Sequence, residues 1–128
     1  MTVLFLMDPP HLIDPEKDTT LALIRASIKQ GDRVYFLPKD GISMYKNKLS
    51  FRVFPISLGA SIPIQLGDGC DLSDRDVDVI WIRTDPPFDE SYLHHTWILS
   101  QAKHIQVINN PEGIRTVNEK LWALQFSD

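Results

Sequence analysis

Apolar positions in the first third of this 128-residue chain follow two strand-like runs with a helical segment between them. Residues 3–7 and 33–37 are apolar runs of strand type, and proline follows each within two residues. Over about residues 19–30, apolar side chains recur at helical spacing, and Gly31 fits the position just after a helix end. This strand–helix–strand order predicts a right-handed βαβ unit and a parallel sheet.

The middle of the chain has a different pattern. Residues 42–45 and 49–54 flank the polar residues 46–48, which predicts a β-hairpin lying outside the main sheet. Residues 55–69 contain prolines and glycines and have no helical period. We therefore predict a loop there, with one short strand near residues 62–66.

The second half predicts two more parallel strands and two more helices. The strands are residues 77–82 and 104–108, and a helix over about 90–102 connects them. A final helix begins at Thr116 or Asn118. The sequence thus predicts one α/β domain with about four parallel strands, an extra hairpin and about three helices.

Composition restricts the class of protein. The chain is 43% hydrophobic and 23% charged, which is typical of a globular domain. A net charge of −4 without a basic block argues against nucleic-acid binding. The apolar residues 1–7 are followed by Asp8 and are too short for a signal peptide or a membrane span. We therefore expect a cytoplasmic, soluble protein with no membrane partner.

Cysteine and histidine spacings indicate no metal site. Cys70 is the single cysteine, so it forms no internal disulfide, and we interpret it as an ordinary loop cysteine. His94 and His95 are adjacent on a predicted helix and cannot both face one metal ion. Neither a dinucleotide-binding glycine pattern nor a P-loop is present, and residues 67–69 predict a loop.

Polar residues follow three of the predicted parallel strands. Asp8 follows the first, Arg83 and Asp85 the third, and Asn109 and Asn110 the last. The carboxyl ends of parallel strands meet at one edge, which is where open α/β sheets bind ligands. Arginine is suited to holding a carboxylate or phosphate through two hydrogen bonds. The pattern predicts a site for a small anionic ligand.

Two further observations concern this predicted site. Lys17 and Asp18 begin the first helix, so they lie near the same edge, and the helix start favours an anion. Pro86 and Pro87 end the third strand directly after Arg83. An alternative interpretation of this segment is a strand followed by a turn whose charges are only solvated.

Several segments resemble bacterial glutathione synthetase, in the same order and with matching gaps. They are Met7-Asp8-Pro9, Lys17-Asp18-Thr19-Thr20, residues 76–89, Tyr92-Leu93 with Thr96 and Ile98-Leu99, Ile108-Asn109-Asn110-Pro111, residues 114–121 and Phe126-Ser127-Asp128. The resemblance covers the whole chain except a variable middle at about residues 41–74. Its most specific parts are the Arg-x-Asp-Pro-Pro-Phe-Asp segment at 83–89 and Asn-Glu-Lys-Leu at 118–121.

The resemblance implies a Rossmann-like pre-ATP-grasp domain, with a mostly parallel sheet of about four strands flanked by helices. That single N-terminal domain would occupy residues 1–128, without the ATP-grasp region that follows in the family. Family members join γ-glutamylcysteine to glycine, using ATP and Mg²⁺, through an acyl phosphate. By this resemblance, the chain alone is expected to lack ligase activity and to bind no cofactor tightly.

The resemblance also implies roles for individual residues. Arg83 matches the family arginine that helps to bind the peptide substrate. Lys17, Asp18 and Asp85 match loop positions around the peptide pocket. Lys120 matches the lysine that reaches the ATP phosphates, although its helical position is also typical of a solvated lysine. The resemblance implies no catalytic residue and no metal ligand in this sequence.

Two other interpretations stay open from the sequence. The chain could be a non-enzymatic α/β module, retained for oligomer contacts or small-anion binding. Exposed edges in a domain without its partner surface would favour a homo-oligomer. A flavodoxin-like receiver or nucleotide module is a weaker alternative, because Asp8 stands alone where a receiver needs an acidic cluster.

Overall fold

A computed structural model describes residues 1–12, 19–60, 62–83, 98–99 and 104–108. In these ranges the chain forms a mixed α/β fold with one complete helix, α1 (Thr19–Lys29), and an eight-stranded sheet. The strands are β1 (Thr2–Met7), β2 (Arg33–Leu37), β3 (Ile42–Tyr45), β4 (Lys48–Leu58), β5 (Ile64–Leu66), β6 (Cys70–Ser73), β7 (Val79–Arg83) and β8 (Gln106–Ile108). Short 3-10 turns lie at Pro10–Leu12 and Asp74–Asp76.

Four strands run parallel, as the apolar runs predict, and they lie in the order β2-β1-β7-β8. Strand β1 is central: Leu4 lies opposite Tyr35 on one side and Ile80 on the other. From β1 the chain passes through α1 to β2 on one side, and later returns to the other side at β7. The strand order therefore reverses direction between β1 and β7.

The sheet buries apolar side chains on both faces, because successive strand residues point to opposite sides. In β1, Leu4 and Leu6 belong to one core, and Val3, Phe5 and Met7 to the other. Helix α1 covers the second core, whereas residues 98–99, which are helical, cover the first through the buried Leu99.

The Trp81 ring stacks on Phe5 from the neighbouring strand at a centroid distance of 6.1 Å and packs against the second core. The rest of the helix predicted at 90–102, the helix predicted from Thr116 or Asn118, and the other two tryptophans lie outside the described residues.

Helix α1 ends where Gly31 predicts. Gly31 has a φ of +91°, its N–H donates to the Ile28 carbonyl at 3.0 Å, and the Asp32 N–H donates to the Ser27 carbonyl at 3.2 Å. These two bonds form a Schellman cap, which glycine favours because it adopts positive φ without steric cost. The Ser27 hydroxyl also donates to the Asp32 carboxylate at 2.8 Å. The helix therefore turns directly into β2.

The prediction that the central hairpin lies outside the main sheet is wrong. The hairpin strands β3 and β4 do pair, but β4 is 11 residues long and its second half pairs antiparallel with β2, placing Phe54 opposite Phe36. The sheet is therefore mixed rather than mostly parallel, because β3, β5 and β6 also pair antiparallel with β4.

Strand β4 joins both cores because its apolar pattern changes phase. Leu49, Phe51 and Val53 contribute to the core on one face, and Phe54 and Ile56 pack in the core on the other. Two consecutive apolar residues, at 53 and 54, mark the change. A two-sided apolar pattern is typical of a strand that lies inside a sheet, so this segment is more than an external hairpin.

Cys70 lies in a strand, so the interpretation as a loop cysteine is wrong. It begins β6 and lies opposite Val53 of β4, half-buried beside the core. The strand is short and mostly polar, and it is held by main-chain pairing that no side-chain pattern reveals. The predicted loop at residues 67–69 is confirmed.

Within the described ranges, no helix is both long enough and apolar enough to cross a membrane.

Candidate functional site

Arg83 occupies the carboxyl end of β7, opposite Met7 at the end of β1. Its side chain points to the face that α1 covers, where its Nε donates to the Thr20 hydroxyl oxygen at 3.2 Å. Thr20 lies in the first turn of α1 and is 6% exposed, while Arg83 is half-buried. The hydrogen bond therefore fixes the guanidinium against the start of the helix.

The guanidinium has no counter-charge nearby in the part of the chain that the structure describes. No described carboxylate lies within 4.0 Å of it. Since Nε is bonded to Thr20, the two terminal NH₂ groups form the outward end of the planar fork. A half-buried guanidinium held in this way is suited to bind a carboxylate or phosphate by donating two parallel hydrogen bonds to it.

A second charged pair lies at the same edge of the sheet. Asp8 directly follows β1, and Lys39 follows β2 after one proline. The Lys39 ammonium lies 2.8 Å from an Asp8 carboxylate oxygen, and the two side chains are 38% and 23% exposed. Lysine, aspartate and arginine therefore follow one another across the ends of β2, β1 and β7.

A tight turn presents Lys39. The Gly41 N–H donates to the Pro38 carbonyl at 2.9 Å, which closes the turn after β2. A side chain at position 41 would meet the Arg52 carbonyl oxygen at 2.6 Å, so only glycine fits there. The fold thus determines where the backbone of Lys39 lies, although the ammonium itself remains on a flexible stem.

This edge is also the point at which the strand order reverses. In open α/β sheets, loops diverge to opposite faces at such a point and leave a crevice outside the carboxyl ends of the strands. Asp8 directly follows β1 and Arg83 ends β7, so the two residues lie on the two strands that border this point. The predicted placement of these two residues at one edge is confirmed, and their roles in binding stay predictions.

The other residues predicted for the site lie outside the described ranges. They are Lys17, Asp18, Asp85, Asn109, Asn110 and Lys120. Two residues that the sequence reasoning did not assign to the site are present: Lys39 and, as a direct partner of Arg83, Thr20. Lys39 could have been found, because it follows the second strand just as Asp8 follows the first.

Carboxylates elsewhere in the described residues hold the fold together. Asp78 accepts the Thr2 N–H at 2.8 Å, and Asp76 accepts the Ser73 N–H at 2.9 Å. Hydrogen bonding from Ser27, and then the N-terminal ammonium, lower the pKa of Asp32 below its ordinary value. In the ranges that can be described, no three His, Cys, Asp or Glu side chains group to hold a metal ion.

Comparisons with known proteins identify the family of this chain. The family model described as prokaryotic glutathione synthetase, N-terminal domain, matches residues 1–115. Curated relatives named glutathione synthetase match nearly the whole chain. The protein of Parasynechococcus marenigrum is 38% identical over 130 residues, covering 99% of this chain and 41% of the relative. That of Nostoc sp. is 34% identical over 143 residues, covering 99% and 43%.

A third relative named glutathione synthetase, from Prochlorococcus marinus, is 35% identical over 130 residues, covering the whole chain and 42% of its own length. The chain therefore spans about two fifths of the length of these relatives.

Proposed function

Because the chain belongs to the family of prokaryotic glutathione synthetase N-terminal domains, we propose that it is the substrate-binding domain of a glutathione synthetase. The reaction joins γ-glutamylcysteine to glycine, with ATP hydrolysed to ADP. ATP, with Mg²⁺, would supply the phosphoryl group that turns a carboxylate of γ-glutamylcysteine into an acyl phosphate, and the amine of glycine would then displace phosphate. Within this scheme, the residues of this chain bind and orient the peptide, and the chemistry takes place in an ATP-grasp region beyond it.

The guanidinium fork of Arg83, which no described carboxylate approaches within 4.0 Å, carries this proposal. γ-Glutamylcysteine has two carboxylates, and a planar guanidinium held by its Nε binds one of them in a defined orientation. Orientation matters because ligase chemistry of this kind depends on placing reacting groups and stabilising charge. The position of Arg83 beside the strand reversal supports the same assignment.

The remaining site residues follow from the family. We assign Lys17, Asp18 and Asp85 to the loops around the peptide pocket, and Lys120 to the ATP phosphates. We also assign the fold to the Rossmann-like pre-ATP-grasp class, which the four parallel strands and α1 support. Helices at residues 90–102 and 116–126 would then complete it.

If these residues only bind the peptide, the 128-residue chain should have no ligase activity alone. A coupled ADP-release assay with γ-glutamylcysteine, glycine, ATP and Mg²⁺ tests this. We expect turnover from the complete polypeptide that the gene encodes and none from residues 1–128. Turnover by the isolated chain would contradict the proposal.

Calorimetric binding of γ-glutamylcysteine to the complete polypeptide tests the pocket. Loss of a bidentate, charge-assisted contact in Arg83→Ala should weaken binding by about tenfold or more, corresponding to about 1.4 kcal/mol. Arg52→Ala is the matched control, because Arg52 is an exposed arginine whose pair with Asp71 is on the antiparallel part of the sheet. Equal affinity of Arg83→Ala and the parent would remove Arg83 from the site.

A further inference from the structure

Strand β5 forms an outer edge of the sheet. It pairs antiparallel with β4 and, among the described residues, with no other strand. The Gly67 N–H donates to the Pro55 carbonyl at 2.9 Å. Since hydrogen-bonded and non-hydrogen-bonded pairs alternate along an antiparallel ladder, Gln65 bonds inward to β4, whereas the main-chain groups of Ile64 and Leu66 point outward. The edge therefore offers backbone donors and acceptors to a further strand.

Three partly exposed apolar side chains lie along this edge. Leu58, Ile62 and Leu66 are 44%, 53% and 38% exposed. Leu66 lies opposite Ile56 and Leu58 opposite Ile64, so both leucines point to the face of the second core, to which the two isoleucines belong. The apolar surface of that core therefore continues to the outer edge of the sheet.

The segment that contains β5 has no charged residue. Residues 53–67 include no Asp, Glu, Lys or Arg, and this is the longest such run in a chain that is 23% charged. A symmetry axis between two copies places each nearby residue beside its own copy, so a charge there would be repelled by an identical charge. A neutral, apolar edge is therefore suited to contact a second copy of this chain, whose net charge is −4.

The position of β5 also favours a second copy over an ATP-grasp region. Strand β4 runs antiparallel to β2 and places Pro55 opposite Tyr35, so the pairing of Ile64 with Leu58 lies level with the start of β2. Arg83 lies at the other end of the parallel strands. A catalytic region that acts on a peptide held by Arg83 would meet the carboxyl ends of the strands, away from β5.

We propose that two copies of this chain associate by pairing their β5 strands antiparallel around a symmetry axis at Gln65. Ile64 of each copy then lies opposite Leu66 of the other, and their outward N–H and C=O groups hydrogen-bond to each other. Opposed side chains in such a pair point to the same face, so Leu66 packs on Ile64 of the other copy. Because β5 is 3 residues long, the interface is small, and we expect a Kd in the micromolar range.

Sedimentation velocity of the complete polypeptide, over ~1–100 µM, tests this proposal. Gln65→Lys places two ammonium groups beside each other at the axis and should weaken self-association by about tenfold. Ser57→Lys is the matched control, because Ser57 is exposed and lies opposite Gln65, one strand farther from the axis. The two added charges are then about 14 Å apart and largely screened, so association should stay within about a factor of two of the parent.

A charge-complementation experiment separates symmetric pairing from damage to the fold. Gln65→Lys and Gln65→Glu should each associate weakly alone, because each repels its own copy. An equimolar mixture places opposite charges at the axis and should restore association to the parent level or above. Thermal unfolding of every variant checks that it is folded at the assay temperature.

Three results would overturn the proposal: a parent that stays monomeric at the highest concentration, an association that Gln65→Lys leaves unchanged, or a mixture that recovers nothing. The last two would mean that the copies meet elsewhere. None of them bears on the peptide site, which the binding of γ-glutamylcysteine to Arg83→Ala tests separately.

Discussion

The hydrogen bond from Arg83 to Thr20 gives a direct test of how the site is preorganised. Thr20→Val removes the hydroxyl that accepts from Nε and keeps the branched shape and size of the side chain. The guanidinium then loses its fixed orientation, so a ligand must order it on binding. Thr20→Ser is the matched control, because it keeps the hydroxyl and loses only a methyl group.

The size of the effect follows from the environment of this bond. Hydrogen bonds to charged groups contribute about 1.5–3 kcal/mol when they are well buried. Thr20 is buried but Arg83 is half-exposed, so water replaces part of the lost contact. We therefore expect a loss of about 1 kcal/mol, which is about fivefold in Kd. Thr20→Ser should remain within about twofold of the parent.

Calorimetry with γ-glutamylcysteine on the complete polypeptide measures both variants, and thermal unfolding checks that the helix start is intact. The decisive comparison is with Arg83→Ala. If that variant loses affinity while Thr20→Val binds as tightly as the parent, the threonine does not orient the arginine. A loss in Thr20→Ser as large as in Thr20→Val would assign the effect to packing of the methyl group.

Three further predictions concern stability. Phe51 is fully buried, so Phe51→Ala should lower the free energy of unfolding by about 3–5 kcal/mol in urea titrations; a loss below 1 kcal/mol would contradict its core position. The turn residues Lys46 and Asn47 have φ values of +50° and +63°. Changing both, Lys46→Asn with Asn47→Gly, should therefore raise the free energy of unfolding by about 1 kcal/mol, and no gain would argue against this turn. The folded pKa of Asp32 is lowered from 3.8, so its carboxylate stabilises the fold above about pH 4, and this is lost as pH falls through the folded pKa. Asp32→Asn should therefore lower Tm at pH 7 but less at pH 3; a pH-independent difference would contradict this.

Local signals predicted the βαβ opening well. β1, α1 and β2 agree with the sequence pattern to within one residue at each end, because proline and Gly31 act through their own backbone geometry. β6 was missed, since a short polar strand depends on its partner for hydrogen bonds. The pairing of β4 with β2 was missed as well, because a hairpin pattern carries no information about what its outer edge meets.

For the candidate site too, the sequence predicted some features and missed others. The residue types at the strand ends, Asp8 and Arg83, were readable from the sequence, because parallel strands bring their carboxyl ends to one edge. The hydrogen-bond and ion-pair partners of these two residues could not be predicted from the sequence. Thr20 is 63 residues from Arg83 and Lys39 is 31 from Asp8 along the chain, and only packing of α1 and pairing of β2 with β1 bring them together.

By itself, therefore, the sequence determined the four parallel strands, the first helix and the edge that carries charge, since each depends on short-range backbone preference and apolar spacing. The tertiary structure decided that Lys39 pairs with Asp8 and that Thr20 accepts the hydrogen bond from Arg83 Nε. Those outcomes depend on distances between side chains from different elements, and such distances exist only once the sheet has formed.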